Sequence, residues 1–284
     1  MTTFFEILKA LLFGIVEGIT EWLPVSSTGH LILLHEFVNL DSSEAFNEMF
    51  DVVIQLGAIL AVIVLFFRKL NPFAPSKSIE EKKGTWSLWF KVCVAVVTSA
   101  VIGLLFDDIL DAYLYNAYVV AAMLIVYGVF FILIEKKNAE NSVCAIETTS
   151  AITYKAAFLV GMFQMLALIP GTSRSGATIL GALILGFSRG AAAEFSFFMA
   201  IPTMAGASLL KAVKFVLDGN DMSSTELIVL VSAFLSAFVV SLVAIKYLTD
   251  YVKRHTFSAF GVYRIILGAL VLLFFLGKFI IAKA

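Results

Sequence analysis

Two carboxylates, a run of hydroxyls and an imidazole fall within fourteen residues: Glu17, Glu21, Ser26, Ser27, Thr28 and His30. Glu17 and Glu21 are four apart, so on a helix they share one face. Such a pair suits a hard divalent cation, Mg2+ or Ca2+, which takes oxygen ligands and often bridges to phosphate. Alternatively, one of the two works as a general base. Ser26, Ser27 and Thr28 follow Pro24 and read as the start of a helix. Hydroxyls cap such starts, and the free N–H groups there favour an anion. Capping alone would account for these residues, but His30 stands three positions beyond Ser27. A serine with a histidine in reach is the minimum apparatus of an activated nucleophile. His35 and His255 have no such company and read as incidental.

A second hydroxyl-rich break runs Pro170-Gly171-Thr172-Ser173-Arg174-Ser175-Gly176-Ala177-Thr178. Its arginine falls in the first turn of a helix, where a cation opposes the dipole. An anionic ligand removes that objection, and guanidinium grips phosphate with two prongs. Thr178, four residues on, faces the same way as Arg174. The competing reading pairs Arg174 with Glu17 or Glu21, and it can hold in the empty site without excluding a ligand role. Together the two breaks suit a highly anionic head group on a hydrocarbon tail, a diphosphate ester rather than a monoester. Phosphoryl chemistry relies on positioning and charge neutralisation, and these are the parts it needs.

The elements that must position these groups lie in lipid. The 284 residues are 61% hydrophobic and 14% charged, with 27 Phe. The mean hydropathy is +0.98. Soluble chains carry about 25% charged residues, so this is an integral membrane protein and not a disordered one. The balance of 20 Lys+Arg against 21 Asp+Glu gives −1, which argues against nucleic-acid binding. Cys93 and Cys144 match no metal spacing and no disulfide framework. The N-terminal stretch lacks a basic start and a small-residue cleavage site, and it reads as part of the mature fold.

Six stretches are long enough to span: 48–67, 86–105, 117–134, 191–216, 226–247 and 262–281. Residues 4–38 and 156–187 are each broken near the middle, and each half is too short to cross. Broken backbone at membrane depth survives only inside protein or beside a water-filled cavity, which predicts two re-entrant helical hairpins. Basic residues crowd the loops 68–85, 135–155 and 248–261, whereas 106–116 and 217–225 have none. The first set belongs to the cytoplasm and the second outside, with both termini outside. Sliding the chain by 146 places Pro24 on Pro170 and Ser27 on Ser173. One membrane domain is expected, an all-α polytopic protein with an inverted-topology repeat (about 1–105 and 150–250, with flanking helices). Such repeats meet at the midplane.

At these residues the sequence resembles the bacterial undecaprenyl-diphosphate phosphatase family, also known for bacitracin resistance. The likeness rests on Glu17-Gly-Ile-Thr-Glu21-Trp-Leu-Pro-Val-Ser-Ser-Thr-Gly-His30 and on Pro170 to Thr178, and extends to Phe195-Ser-Phe-Phe and Tyr263-Arg264. It implies hydrolysis of the isoprenoid diphosphate to monophosphate and phosphate, recycling the carrier for wall polymers. It further implies a divalent cation, location in the bacterial inner membrane and a site opening to the outer face. Carried onto this chain, Ser27 is nucleophile or its orienter, and His30 is base or phosphoryl acceptor. Arg174, Ser173, Ser26, Thr28 and Thr178 hold the diphosphate, while Glu17 and Glu21 bind metal or position water. Attack by Ser27, His30 or water stays open, as does a homodimer. The phosphatidic-acid type of lipid phosphatase needs a second histidine after its arginine, and here only His255 follows Arg174. The rival class is a transporter or lipid flippase with an anionic head-group site and no hydrolysis. A purely structural scaffold would leave the buried charges unexplained.

Overall fold

The computed structural model describes residues 2–114, 116–141 and 144–283; the side chains of 104, 106–113, 141 and 281–283 lie outside the description, as does that of Thr2. Helices are the regular elements of the described chain, apart from a single parallel bridge between Ile146 and Phe187. In chain order the helices are α1 (Thr2–Thr20), α2 (Ser27–Phe37), α3 (Glu44–Val53), α4 (Gln55–Leu65) and α5 (Phe67–Leu70). There follow α6 (Ile79–Leu114), α7 (Ala117–Asn141), α8 (Tyr154–Gln164) and α9 (Arg174–Ile184). Last come α10 (Arg189–Leu217), α11 (Ser224–Tyr251) and α12 (Ser258–Lys283).

Six helical stretches are long and apolar enough to cross a bilayer: Glu44–Leu65, Ile79–Gly103, Ala117–Glu140, Arg189–Leu217, Ser224–Tyr251 and Ser258–Ile280. They coincide with the six expected spans. The first is jogged at Ile54, where α3 hands over to α4. Two predicted loops begin too early. Helix α6 runs on to Leu114, through most of the predicted 106–116 loop, and α7 extends to Asn141. At the end of α7 charge stops the apolar stretch but not the helix, since Glu and Lys are good helix formers. The side chains of Asp107, Asp108 and Asp111, which the orientation argument used, lie outside the described residues.

The two broken regions also fold as helix, break, helix. Helices α2, α8 and α9 have 11 residues each, about 16 Å at 1.5 Å per residue, against a hydrocarbon core of about 30 Å. Helix α1 has 19 residues and is longer than the half-crossing expected of it.

Packing follows a reciprocal pattern. Helix α1 lies on α11 as α8 lies on α6, α7 pairs with α12, and α10 packs on α3 and α4. Small residues set these contacts, as lipid-embedded interfaces require. A Cβ at Gly14 would strike the Ala233 carbonyl of α11, and one at Gly161 the Ala95 carbonyl of α6. At the basic-loop end, Glu135 accepts from Arg189 Nη2 at 2.6 Å and from the Phe257 N–H at 2.9 Å, tying α7, α10 and the start of α12.

Gly171 sits in the second break at φ 88°, with its α-carbon facing the Val120 carbonyl of α7. A side chain there meets both a disfavoured backbone and an occupied volume. Gly171→Ala is expected to lower stability by more than about 1–3 kcal/mol. Thermal unfolding in detergent reads it, and an unchanged midpoint would show that α7 does not press on this break.

Candidate active site

Each break turns into its second helix through a strained serine. Ser26 (φ 72°) and Ser173 (φ 73°) are the only non-glycine residues with positive φ among those described. Each holds the residue-three N–H on its hydroxyl: Gly29 N to Ser26 Oγ at 3.3 Å, Gly176 N to Ser173 Oγ at 3.1 Å. Capping is thus what these two hydroxyls do. Such a backbone costs about 1–3 kcal/mol and persists where the surroundings over-determine it. The two caps are 147 residues apart, one more than the slide of 146 that places Pro24 on Pro170.

The breaks converge, as expected. Ser175 Oγ donates to the Glu21 and Leu23 carbonyls at 3.1 and 3.2 Å. Arg264 of α12, wholly buried, donates to Pro24 O at 3.0 Å in one break. The same guanidinium donates to Gly171 O at 2.7 Å and Thr172 O at 3.0 Å in the other. Sequence reasoning assigned no role to Ser175 or Arg264. An arginine inside the apolar stretch 262–281 was the available signal, since intramembrane charge marks function by default.

At the meeting point stands Glu21. Its Oε2 accepts the Ser27 hydroxyl at 2.7 Å, and its Oε1 accepts Arg174 Nη2 at 2.9 Å. The carboxylate therefore bridges hydroxyl and guanidinium. Arg174 Nη1 donates to the Ser196 carbonyl at 2.7 Å, and its Nε is buried without a partner among the described residues. The guanidinium thus keeps N–H donors that no described group takes.

A cavity of about 760 Å³ opens from this point, with Glu21, Ser27, Thr28, Ser173 and Arg174 in its wall. Apolar side chains such as Val52, Leu168, Met204 and Leu210 line much of the remainder. Charge at one end and hydrocarbon along the rest suits an amphiphile.

Four residues are placed otherwise than the sequence led one to expect. His30 does not face Ser27: its Nδ1 lies 2.7 Å from the Ser26 carbonyl, which can only accept, so Nδ1 is protonated. Nε2 lies 2.6 Å from the Tyr263 hydroxyl, and the rings stack. Four residues after the cap, the imidazole reaches back to the cap carbonyl, and that contact turns it away from the cavity wall. Thr178 is fully buried, donating to the Arg174 carbonyl at 2.9 Å and touching Ser196 Oγ at 2.7 Å. It backs the arginine without reaching the cavity. Ser26, consumed by capping, is also absent from the cavity wall. His35 is not incidental either, since its Nε2 pairs with Asp51 at 2.9 Å.

Glu17 lies behind the wall, 0% exposed, with neither carboxylate oxygen hydrogen-bonded among the described residues. A buried orphan carboxylate calls for a cation or a proton. No cluster of three or more His, Cys, Asp or Glu able to enclose a metal occurs among the described residues. A cation here would have to be held by one or two carboxylates and completed by phosphate oxygens and water, as Mg2+ commonly is.

Residues 10–270 match the family described as bacitracin resistance protein BacA. A protein of Enterococcus faecalis named undecaprenyl-diphosphatase is 59% identical over 269 residues, covering 95% of this chain and 97% of that protein. One of the same name from Streptococcus pyogenes serotype M3 is 55% identical over 275 residues, covering 97% and 98%. With nearly the whole chain matched in each comparison, this chain belongs to the bacitracin resistance BacA family.

Proposed function

We propose that this multi-pass membrane protein hydrolyses undecaprenyl diphosphate to undecaprenyl phosphate and inorganic phosphate, returning the lipid carrier to cell-wall synthesis. The carrying observation is the Glu21 carboxylate shared by Ser27 and Arg174. Passage of a lipid or anion needs no hydroxyl set against a base, so the transporter or flippase reading is not favoured.

The reaction follows from that geometry. Ser27 Oγ attacks the terminal phosphorus as Glu21 takes its proton, and the bridging P–O bond breaks. Undecaprenyl phosphate leaves, and water then cleaves the phosphoserine, with Glu21 returning the proton to Ser27. Arg174 turns its free Nε–H toward the phosphate, joined by the first-turn N–H groups of α2 and α9. Thr28 and Ser173 flank the head group. Glu17 with Glu21 would hold a divalent cation, which when bound supplies positive charge against the diphosphate. His30 positions the start of α2 through the Ser26 carbonyl.

The topology reading is also ours. We take α1–α2 and α8–α9 as the re-entrant pairs of an inverted repeat, each half continuing through its two last helices, α6–α7 and α11–α12. Its support is the reciprocal packing and the paired serine caps. The cavity runs along Val96 to Gly103 of α6 and Pro202 to Val213 of α10. That course leads toward the loops poor in basic residues, which supports a site opening on the outer face of the bacterial inner membrane.

The test is formation of undecaprenyl phosphate by purified protein in detergent, with and without EDTA. Arg174→Ala is expected to lower turnover by roughly 10²–10³-fold, as for loss of a charge-stabilising donor. Glu17→Gln should make activity insensitive to EDTA at a low residual rate. Full activity in Arg174→Ala would sink the site assignment.

A further inference from the structure

Gln164 stands nine residues before the cap Ser173, the interval that separates Glu17 from Ser26. Where the first arm carries a carboxylate, the second carries its neutral isostere. Gln164 is 3% exposed and belongs to the wall of the same cavity, with Ser99, Thr203 and Arg174.

Its amide has one permissible orientation. Ser99 Oγ donates to the Val96 carbonyl at 3.0 Å, and Thr203 Oγ1 to the Met199 carbonyl at 2.8 Å. Each hydroxyl has a single proton, so toward Gln164 both can only accept. The amide NH2 therefore donates to Ser99 Oγ and, at 3.3 Å, to Thr203 Oγ1. Oε1 is turned the other way and has no donor among the described residues. A buried amide oxygen left bare costs about 1–3 kcal/mol. Helices α6, α8 and α10 thus hold a buried lone acceptor on a residue of the cavity wall.

The ligand that answers it must donate a hydrogen bond. A fully ionised diphosphate ester has no proton to give, and its hydrocarbon tail has none. Inorganic phosphate keeps at least one P–OH at neutral pH. We infer that Gln164 Oε1 accepts from the P–OH of released phosphate, forming a product subsite in the cavity that holds Arg174. A neutral amide suits this role, because a carboxylate there would repel the anion. The inference rests on the hydrolytic reading above.

Sulfate resembles phosphate in size and charge but carries no proton at neutral pH. Undecaprenyl phosphate formation is measured with either inorganic anion added. The wild-type protein is expected to be inhibited by phosphate at roughly tenfold lower concentration than by sulfate, the equivalent of one hydrogen bond. Gln164→Leu should bring the two within about twofold, since the distinguishing contact is gone. Gln164→Glu should weaken phosphate inhibition below the wild-type level. Thr203→Val, which frees the amide to rotate, should narrow the ratio even if Gln164→Leu does not fold. Equal inhibition of the wild type by both anions overturns the subsite. So does a Gln164→Leu protein with reduced turnover and an unchanged phosphate-to-sulfate ratio, which would assign the acceptor to water. A wild type that forms no undecaprenyl phosphate would instead overturn the hydrolytic reading.

Discussion

Ser27→Ala is expected to lower turnover by on the order of 10³-fold or more, with little change in the thermal midpoint. The hydroxyl it removes donates one hydrogen bond to Glu21 at the cavity wall. Losing it leaves Glu21 still paired to Arg174, so folding has little at stake. Glu21→Gln should cost roughly 10²–10⁴-fold, the range for removing a general base. The double substitution should be no worse than Ser27→Ala alone, because a base without its nucleophile has nothing to activate. Rapid quenching of the wild type and mass spectrometry of the peptide containing Ser27 should find a phosphoserine. His30→Ala should be milder, since its ring nitrogens face Ser26 O and Tyr263 rather than Ser27. Direct attack by water would show itself as Ser27→Ala activity within tenfold of wild type.

Arg264→Leu acts on the other axis, stability. Three carbonyls at 2.7–3.0 Å lose their donor together: Pro24, Gly171 and Thr172. Bonds to a charged group contribute about 1.5–3 kcal/mol each, and an apolar side chain leaves the acceptors bare at membrane depth. The midpoint in detergent should fall by on the order of 10 °C. Arg264→Lys separates clamp from charge. One ammonium cannot reach both breaks as a planar fork does, so lysine should restore charge but neither the midpoint nor the activity that depends on the joined breaks. Recovery of both by lysine would reduce Arg264 to a buried counter-charge.

Much of this was legible in the residues. Apolar length alone located the spans, because a bilayer demands about 20 such residues and little else produces them. The two Pro-hydroxyl breaks announced a shared polar site, and the pairing of Arg174 with a carboxylate was among the readings weighed. What escaped was direction. Spacing put His30 and Ser27 within reach, but the helix start lends the imidazole its own cap carbonyl as a nearer partner. Likewise Thr178 shares a face with Arg174, yet that face is packed against Ser196. Helical periodicity says which residues are neighbours, and only tertiary packing says which neighbour meets solvent. Gln164 escaped because an uncharged amide in an apolar run looks unremarkable until its oxygen is found without a donor.

The bridge from Glu21 to Arg174 has an implication for the resting enzyme. Plus and minus meet across 2.9 Å, so the guanidinium does not stand as a bare charge at the cavity wall. Only a visitor bringing several negative charges at once can break that truce. Monoanionic lipids are accordingly expected to compete poorly for the guanidinium.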